Sequence, residues 1–170
     1  MAEALRQCDP QLAVECVDLL SYGPAWMRRG YPALYEWLVR WAPWLWAAGY
    51  YGMDHPIGFR LVQPLRRLWN AWAARRFLAE LASNPPSVVV TTHFFPTDAV
   101  GHANASGRLS IPLIPVITDL FPHRFWLTAR PAALLVGTDE VKRCCIERGA
   151  DAQRIHVTGM SAGGMHTAQI

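Results

Sequence analysis

The sequence predicts an α/β protein, one doubly wound domain with a parallel sheet and a helical insertion near its start. Three observations predict it. Five short segments are continuously apolar or rich in β-branched residues, and turn residues bound each of them. Between the last two lies a helix-type segment, which makes a strand–helix–strand unit. Residues 22–83 show neither pattern and are crowded with Trp, Tyr, Arg and Pro.

Strands are expected at Leu12–Leu20 (LAVECVDLL), Ser87–His93 (SVVVTTH), Ile111–Thr118 (IPLIPVIT), Ala133–Thr138 (ALLVGT) and Ile155–Gly159 (IHVTG). Continuous apolar runs suit strands covered on both faces, as in a parallel sheet. Asp139–Arg148 is expected to be helical: Thr138 can cap it, Asp139 and Glu140 occupy its first turn, and Gly149 can stop it. Residues 22–83 read as helices. Leu34, Trp37, Leu38, Trp41 and Leu45 recur at helical spacing, and a second helix carries Leu65, Leu68, Trp69, Trp72 and Phe77. The domain is placed at residues 1–160, with 22–83 as its insertion.

Composition excludes several classes. With 52% hydrophobic and 17% charged residues in a chain of 170, the protein has enough apolar material for one core and is not disordered. A net charge of +3 and the lack of any nucleic-acid motif argue against a nucleic-acid partner. Between Tyr22 and Glu80, however, eight arginines face three acids, which points to a basic face. The four cysteines lack zinc spacing, and adjacent Cys144 and Cys145 are poorly placed to bridge each other, so reduced thiols of a cytoplasmic protein are expected. The opening Met1–Arg6 reads as amphipathic helix rather than signal peptide. The uncharged aromatic run Trp41–Met53 is 13 residues, short of the ~20 that span a bilayer.

Seven of the eight tryptophans and all five tyrosines fall within residues 22–72. Indole and phenol rings favour the water–lipid boundary, and arginine reaches anionic headgroups. The expectation is a peripheral contact with an anionic membrane surface through Trp41, Trp44, Trp46, Arg66 and Arg67. The plainer alternative is that these helices pack their indoles on the sheet.

Ligands of a doubly wound sheet bind beyond the carboxyl ends of its strands. His93 and His123 follow two neighbouring strands there, each among aromatics, and suggest a shared cleft. Either ring could take a proton from a hydroxyl, with Asp119 to orient it. No metal-ligand spacing is present, so no metal is expected.

Together the segments VVVTTHFFPTDAVG, IPLIPVITDLFPHRFW and LLVGTDEVKRCCIERGADAQRIHVTGM, with VDLLSYGP more loosely, resemble the monogalactosyldiacylglycerol synthases and processive diacylglycerol glucosyltransferases. The resemblance implies the Rossmann-like N-terminal half of a GT-B glycosyltransferase. It implies an acceptor side for diacylglycerol at the membrane inner face and a donor side that binds a UDP-sugar as co-substrate, with no further cofactor. Carried over, it makes His166 the base and Gly163 and Gly164 part of a glycine-rich loop, with Met165 where the family has glycine. It places Asp119 with the catalytic groups and His93, Phe94, Phe95, Pro96, His123 and Trp126 at the acceptor. Residues 161–170 then form a displaced glycine-rich loop or a truncated tail. The donor-binding domain is expected to be absent, so that activity needs a donor-domain half or partner chain. Two alternatives are a non-catalytic membrane-binding remnant and a transferase acting on a polyprenyl-linked acceptor.

Overall fold

The computed structural model describes residues 2–159; Gly163, Gly164, His166 and the whole of 161–170 lie outside the described residues. A short helix α1 (Ala2–Cys8) is followed by four helices: α2 (Ala25–Trp41), α3 (Pro43–Asp54), α4 (Pro56–Ala73) and α5 (Arg75–Ser83). The rest alternates strand and helix as β1 (Val89–Thr91), α6 (Phe94–Ala105), β2 (Leu113–Ile117), β3 (Leu134–Val136), α7 (Asp139–Glu147) and β4 (Ile155–Val157). The four strands are parallel and lie side by side in chain order. The protein is therefore a Rossmann-like α/β domain with a helical insertion. β2 pairs with β1 through Leu113–Pro115 and with β3 only from Val116. Pro115 has no N–H to donate, and the second register begins just past it.

The last helix forms as the sequence predicts. Thr138 Oγ1 accepts from the Val141 N–H at 3.3 Å, and Gly149 follows with φ +94°. Two expectations are corrected. Leu12–Leu20 is not a strand: residues 12–18 have no regular structure, and a 3-10 turn covers Leu19–Tyr22. The Asp18 carboxylate accepts from the Leu20 N–H at 2.9 Å, a local bond that competes with extended pairing. The strands are also not covered on both faces. Leu113, Ile117, Leu134, Val136 and Ile155 are buried under α5, α6, α7 and a 3-10 turn at Arg124–Leu127, whereas Val90, Ile114, Val116 and Leu135 stay half-covered or exposed on the other face.

α6 sits against the segment that follows that turn. A Cβ on Gly101 would overlap the Ala129 Cβ, well inside van der Waals distance. Overpacking of this kind costs about 1–3 kcal/mol. Gly101→Ala is expected to lower the unfolding free energy from chemical denaturation by that much, although alanine has the better helix propensity.

Candidate functional site

Because β1 and β2 are adjacent and parallel, the segments after both strands meet at one end of the sheet. His93 follows β1 and caps α6: its Nδ1 accepts from the Phe95 N–H at 3.1 Å. Thr97 Oγ1 bonds back to the His93 carbonyl at 2.9 Å and lies 2.7 Å from Thr91 Oγ1, which locks the turn. Residues 94–98 are thus the first turn of a helix. Phe94, Phe95 and Pro96 are half-buried there, and the Phe94 ring packs on Phe125 and Trp126. With Nδ1 accepting, the neutral His93 ring carries its proton on Nε2. His93 in this state offers a donor and does not abstract a proton.

After β2, Asp119 Oδ2 accepts from Trp126 Nε1 at 2.7 Å. Trp126 is 2% exposed, so it orients Asp119 from within the core instead of lining an open cleft. His123 is equally buried. Its Nδ1 accepts from the Phe125 N–H at 3.2 Å, and its Nε2 donates to the Tyr50 carbonyl at 3.1 Å. Both ring nitrogens are occupied inside the fold, which joins the insertion to the sheet tip through His123.

Sequence reasoning missed the groups that complete this junction. Asp54, at the end of α3, accepts at Oδ1 from the Arg124 N–H and from Arg148 Nη1, each at 2.8 Å. Arg148 also reaches the Pro122 carbonyl at 2.8 Å. Burial alone would raise the Asp54 carboxyl, but these hydrogen bonds outweigh it and hold its pKa below the ordinary value. Rings run in contact from His93 through Phe94, Phe125 and His123 to Tyr50, then on to Trp46 and Tyr35. Tyr50 carried only a compositional signal, as one of many aromatics. Its place at the tip depends on a bond across 73 positions of chain.

Burial holds both His93 and His123 below the ordinary histidine pKa, against smaller upward pulls: Asp119 on His93, and the Tyr50 carbonyl and Asp54 on His123. The fold needs both rings neutral, because protonation of Nδ1 removes the cap acceptor. The unfolded chain binds these protons near pH ~6.5, so stability is complete above that value and falls as pH drops below it. Denaturant midpoints are expected to decline between pH 7 and 5. His123→Asn, which can still cap, should flatten that decline.

The expected lipid-contact residues divide. Trp41 and Trp44 are 68% and 72% exposed, Arg67 is exposed, and Trp46 is half-buried, stacked on Tyr50 at 4.9 Å. Arg66 is a correction. Its side chain is 10% exposed, its Nη2 pairs with Asp98 Oδ1 at 2.8 Å, and its guanidinium lies 4.1 Å over the Phe125 ring. Helical geometry gives the reason: Gln63, Arg66 and Asn70 form one stripe of α4, and that stripe faces α6. Ile57, Leu61, Leu65 and Leu68 form the opposite stripe, and each is 64–75% exposed. α4 is inside out. Among the described residues, no three His, Cys, Asp or Glu side chains stand where they could hold a metal.

The fold is an α/β domain of the Rossmann-like type found in the N-terminal halves of GT-B glycosyltransferases. The chain belongs to the monogalactosyldiacylglycerol (MGDG) synthase family, whose model matches residues 1–161. It is 32% identical over 112 residues to a processive diacylglycerol beta-glucosyltransferase of Bacillus cytotoxicus, covering 65% of this chain and 27% of the relative. Proteins of the same name from Bacillus thuringiensis and Bacillus cereus are 29% identical, with the same coverage of both chains. The matched stretch is thus about a quarter of those relatives' length. No solved structure matches the chain.

Proposed function

We propose that this domain is the acceptor side of a glycolipid-forming glycosyltransferase, resting on an anionic membrane at the cytoplasmic face and receiving diacylglycerol at the sheet tip. The observation that carries the reading is the inverted α4, with polar residues buried and leucines in solvent. A water-soluble helix does the reverse, and a continuous apolar face of this kind calls for a lipid or partner surface. The leucine stripe adjoins exposed Trp26, Trp69 and Trp72, whose rings lie 5.3–6.3 Å apart. Arg60, Arg67, Arg75 and Arg76 are exposed along α4 and α5, which suits anionic headgroups. No helix among the described residues is long and apolar enough to cross a membrane.

In this reading the lipid hydroxyl comes up beside His93 and Asp119, while the acyl chains stay against the exposed helices. Transfer of a hexose from a UDP-sugar, with inversion, uses a donor-binding half that is distinct from this acceptor domain. The base is His166 by family resemblance. Co-sedimentation with vesicles containing ~30% anionic lipid tests the surface: binding should be strong and should weaken with salt. A chain that stays in the supernatant with anionic vesicles would end the reading.

A further inference from the structure

Three polar atoms at the sheet tip have no partner within the described protein. The Tyr50 hydroxyl makes no hydrogen bond, although its backbone carbonyl is held by His123. Asp119 is bonded to Trp126 through Oδ2, which leaves Oδ1. His93 is engaged only at Nδ1, which leaves Nε2–H. His93 is exposed, and neither the Tyr50 hydroxyl nor Asp119 Oδ1 is among the buried polar atoms left without a partner in the described residues, so these three reach solvent. They come from three elements: α3, the loop after β2, and the cap of α6. Ring contacts run from His93 through Phe94, Phe125 and His123 to Tyr50, and Trp126, which donates to Asp119, packs on the same Phe94.

The surroundings are apolar. Leu120 and Phe121, next to Asp119, are 64% and 83% exposed, and Tyr51, next to Tyr50, is 69% exposed. Two donors and one acceptor among bare apolar side chains match an amphiphile with a single hydroxyl at its polar end. A hydroxyl donates once and accepts twice. Asp119 Oδ1 can take its proton, and the Tyr50 and His93 donors can fill its lone pairs. Burial first, and then the Asp119 carboxylate, keep the Tyr50 phenol above its ordinary pKa, so it remains a donor at neutral pH.

We propose that Tyr50 is a specificity-determining residue that reads the free hydroxyl of the lipid acceptor, with Asp119 Oδ1 accepting from the same group. This rests on the membrane reading above, and the experiment separates the two. Anionic vesicles are prepared with ~10% diacylglycerol, which has a free hydroxyl, or with ~10% triacylglycerol, which has none. The whole chain is expected to bind the diacylglycerol vesicles about three- to tenfold more tightly, the worth of one or two net hydrogen bonds. Tyr50→Phe keeps the ring stacked on Trp46, so its thermal unfolding and its binding to triacylglycerol vesicles should be unchanged while the preference disappears.

A preference that survives in Tyr50→Phe would overturn the proposal, because diacylglycerol then acts through bilayer packing alone. Equal binding of both vesicles by the unaltered chain would also overturn it and leave the membrane reading standing. Binding to neither would remove both.

Discussion

Asp98→Ala is expected to cost about 3–5 kcal/mol of folding stability, because it leaves a buried cation without its counter-charge. Asp98 is 3% exposed and accepts two charge-assisted or buried bonds, from Arg66 Nη2 at 2.8 Å and from Asn70 Nδ2 at 2.7 Å. Alanine would leave the Arg66 guanidinium buried without a counter-charge, with only the neutral Gln63 Oε1 and the Phe125 ring beside it. Burial already pulls the Arg66 pKa down, and Asp98 is the main group opposing that pull. The loss follows from the orphaned cation and not from a large net worth of the pair. Replacing both partners, Arg66→Met with Asp98→Leu, should therefore cost much less than Asp98→Ala alone. Urea midpoints of the two variants decide the matter. A double variant as unstable as the single would mean that the pair itself, and not desolvation, holds α4 on α6.

The parts of the fold that were legible in the sequence are those set by local chemistry. The segments around β1 to β4 are short apolar runs between turn residues, and α7 has a cap, acidic first turn and glycine stop between Thr138 and Gly149. Leu12–Leu20 has the same apolar texture, yet a strand also needs a neighbour to bond, and texture does not report one. α6 was hidden because its cap is a histidine, outside the usual Ser, Thr, Asp and Asn set. The site divided in the same way. His93 and Asp119 were legible because they follow strands. Tyr50, Asp54 and Arg148 enter through bonds between residues 26 to 94 positions apart, which no local pattern encodes. Arg66 was misplaced because a basic residue beside tryptophans was read by type. The turn of the helix decides its direction, and Gln63 and Asn70 on the same stripe were the available signal.

Replacing Leu61, Leu65 and Leu68 together with glutamine should lower affinity for anionic vesicles by ~100-fold and leave the fold intact. The two halves of this expectation have different causes. Each leucine is 70–75% exposed, so little packing is lost, and glutamine is as good a helix former as leucine. Exposed substitutions of this kind stay within about 0.5 kcal/mol. Full burial of a leucine stabilises by about 1.5–3 kcal/mol, and partial entry into the headgroup region gives roughly 1 kcal/mol for each, or ~3 kcal/mol for three. That sum corresponds to about two decades of affinity. Arg67→Gln should act differently: it should weaken binding by severalfold at low salt and hardly at all at high salt, since its contribution is screened. Measured side by side, the two variants separate the apolar stripe from the basic rim. If the triple variant unfolds instead, the stripe is packed against protein, and α4 meets a partner chain rather than lipid.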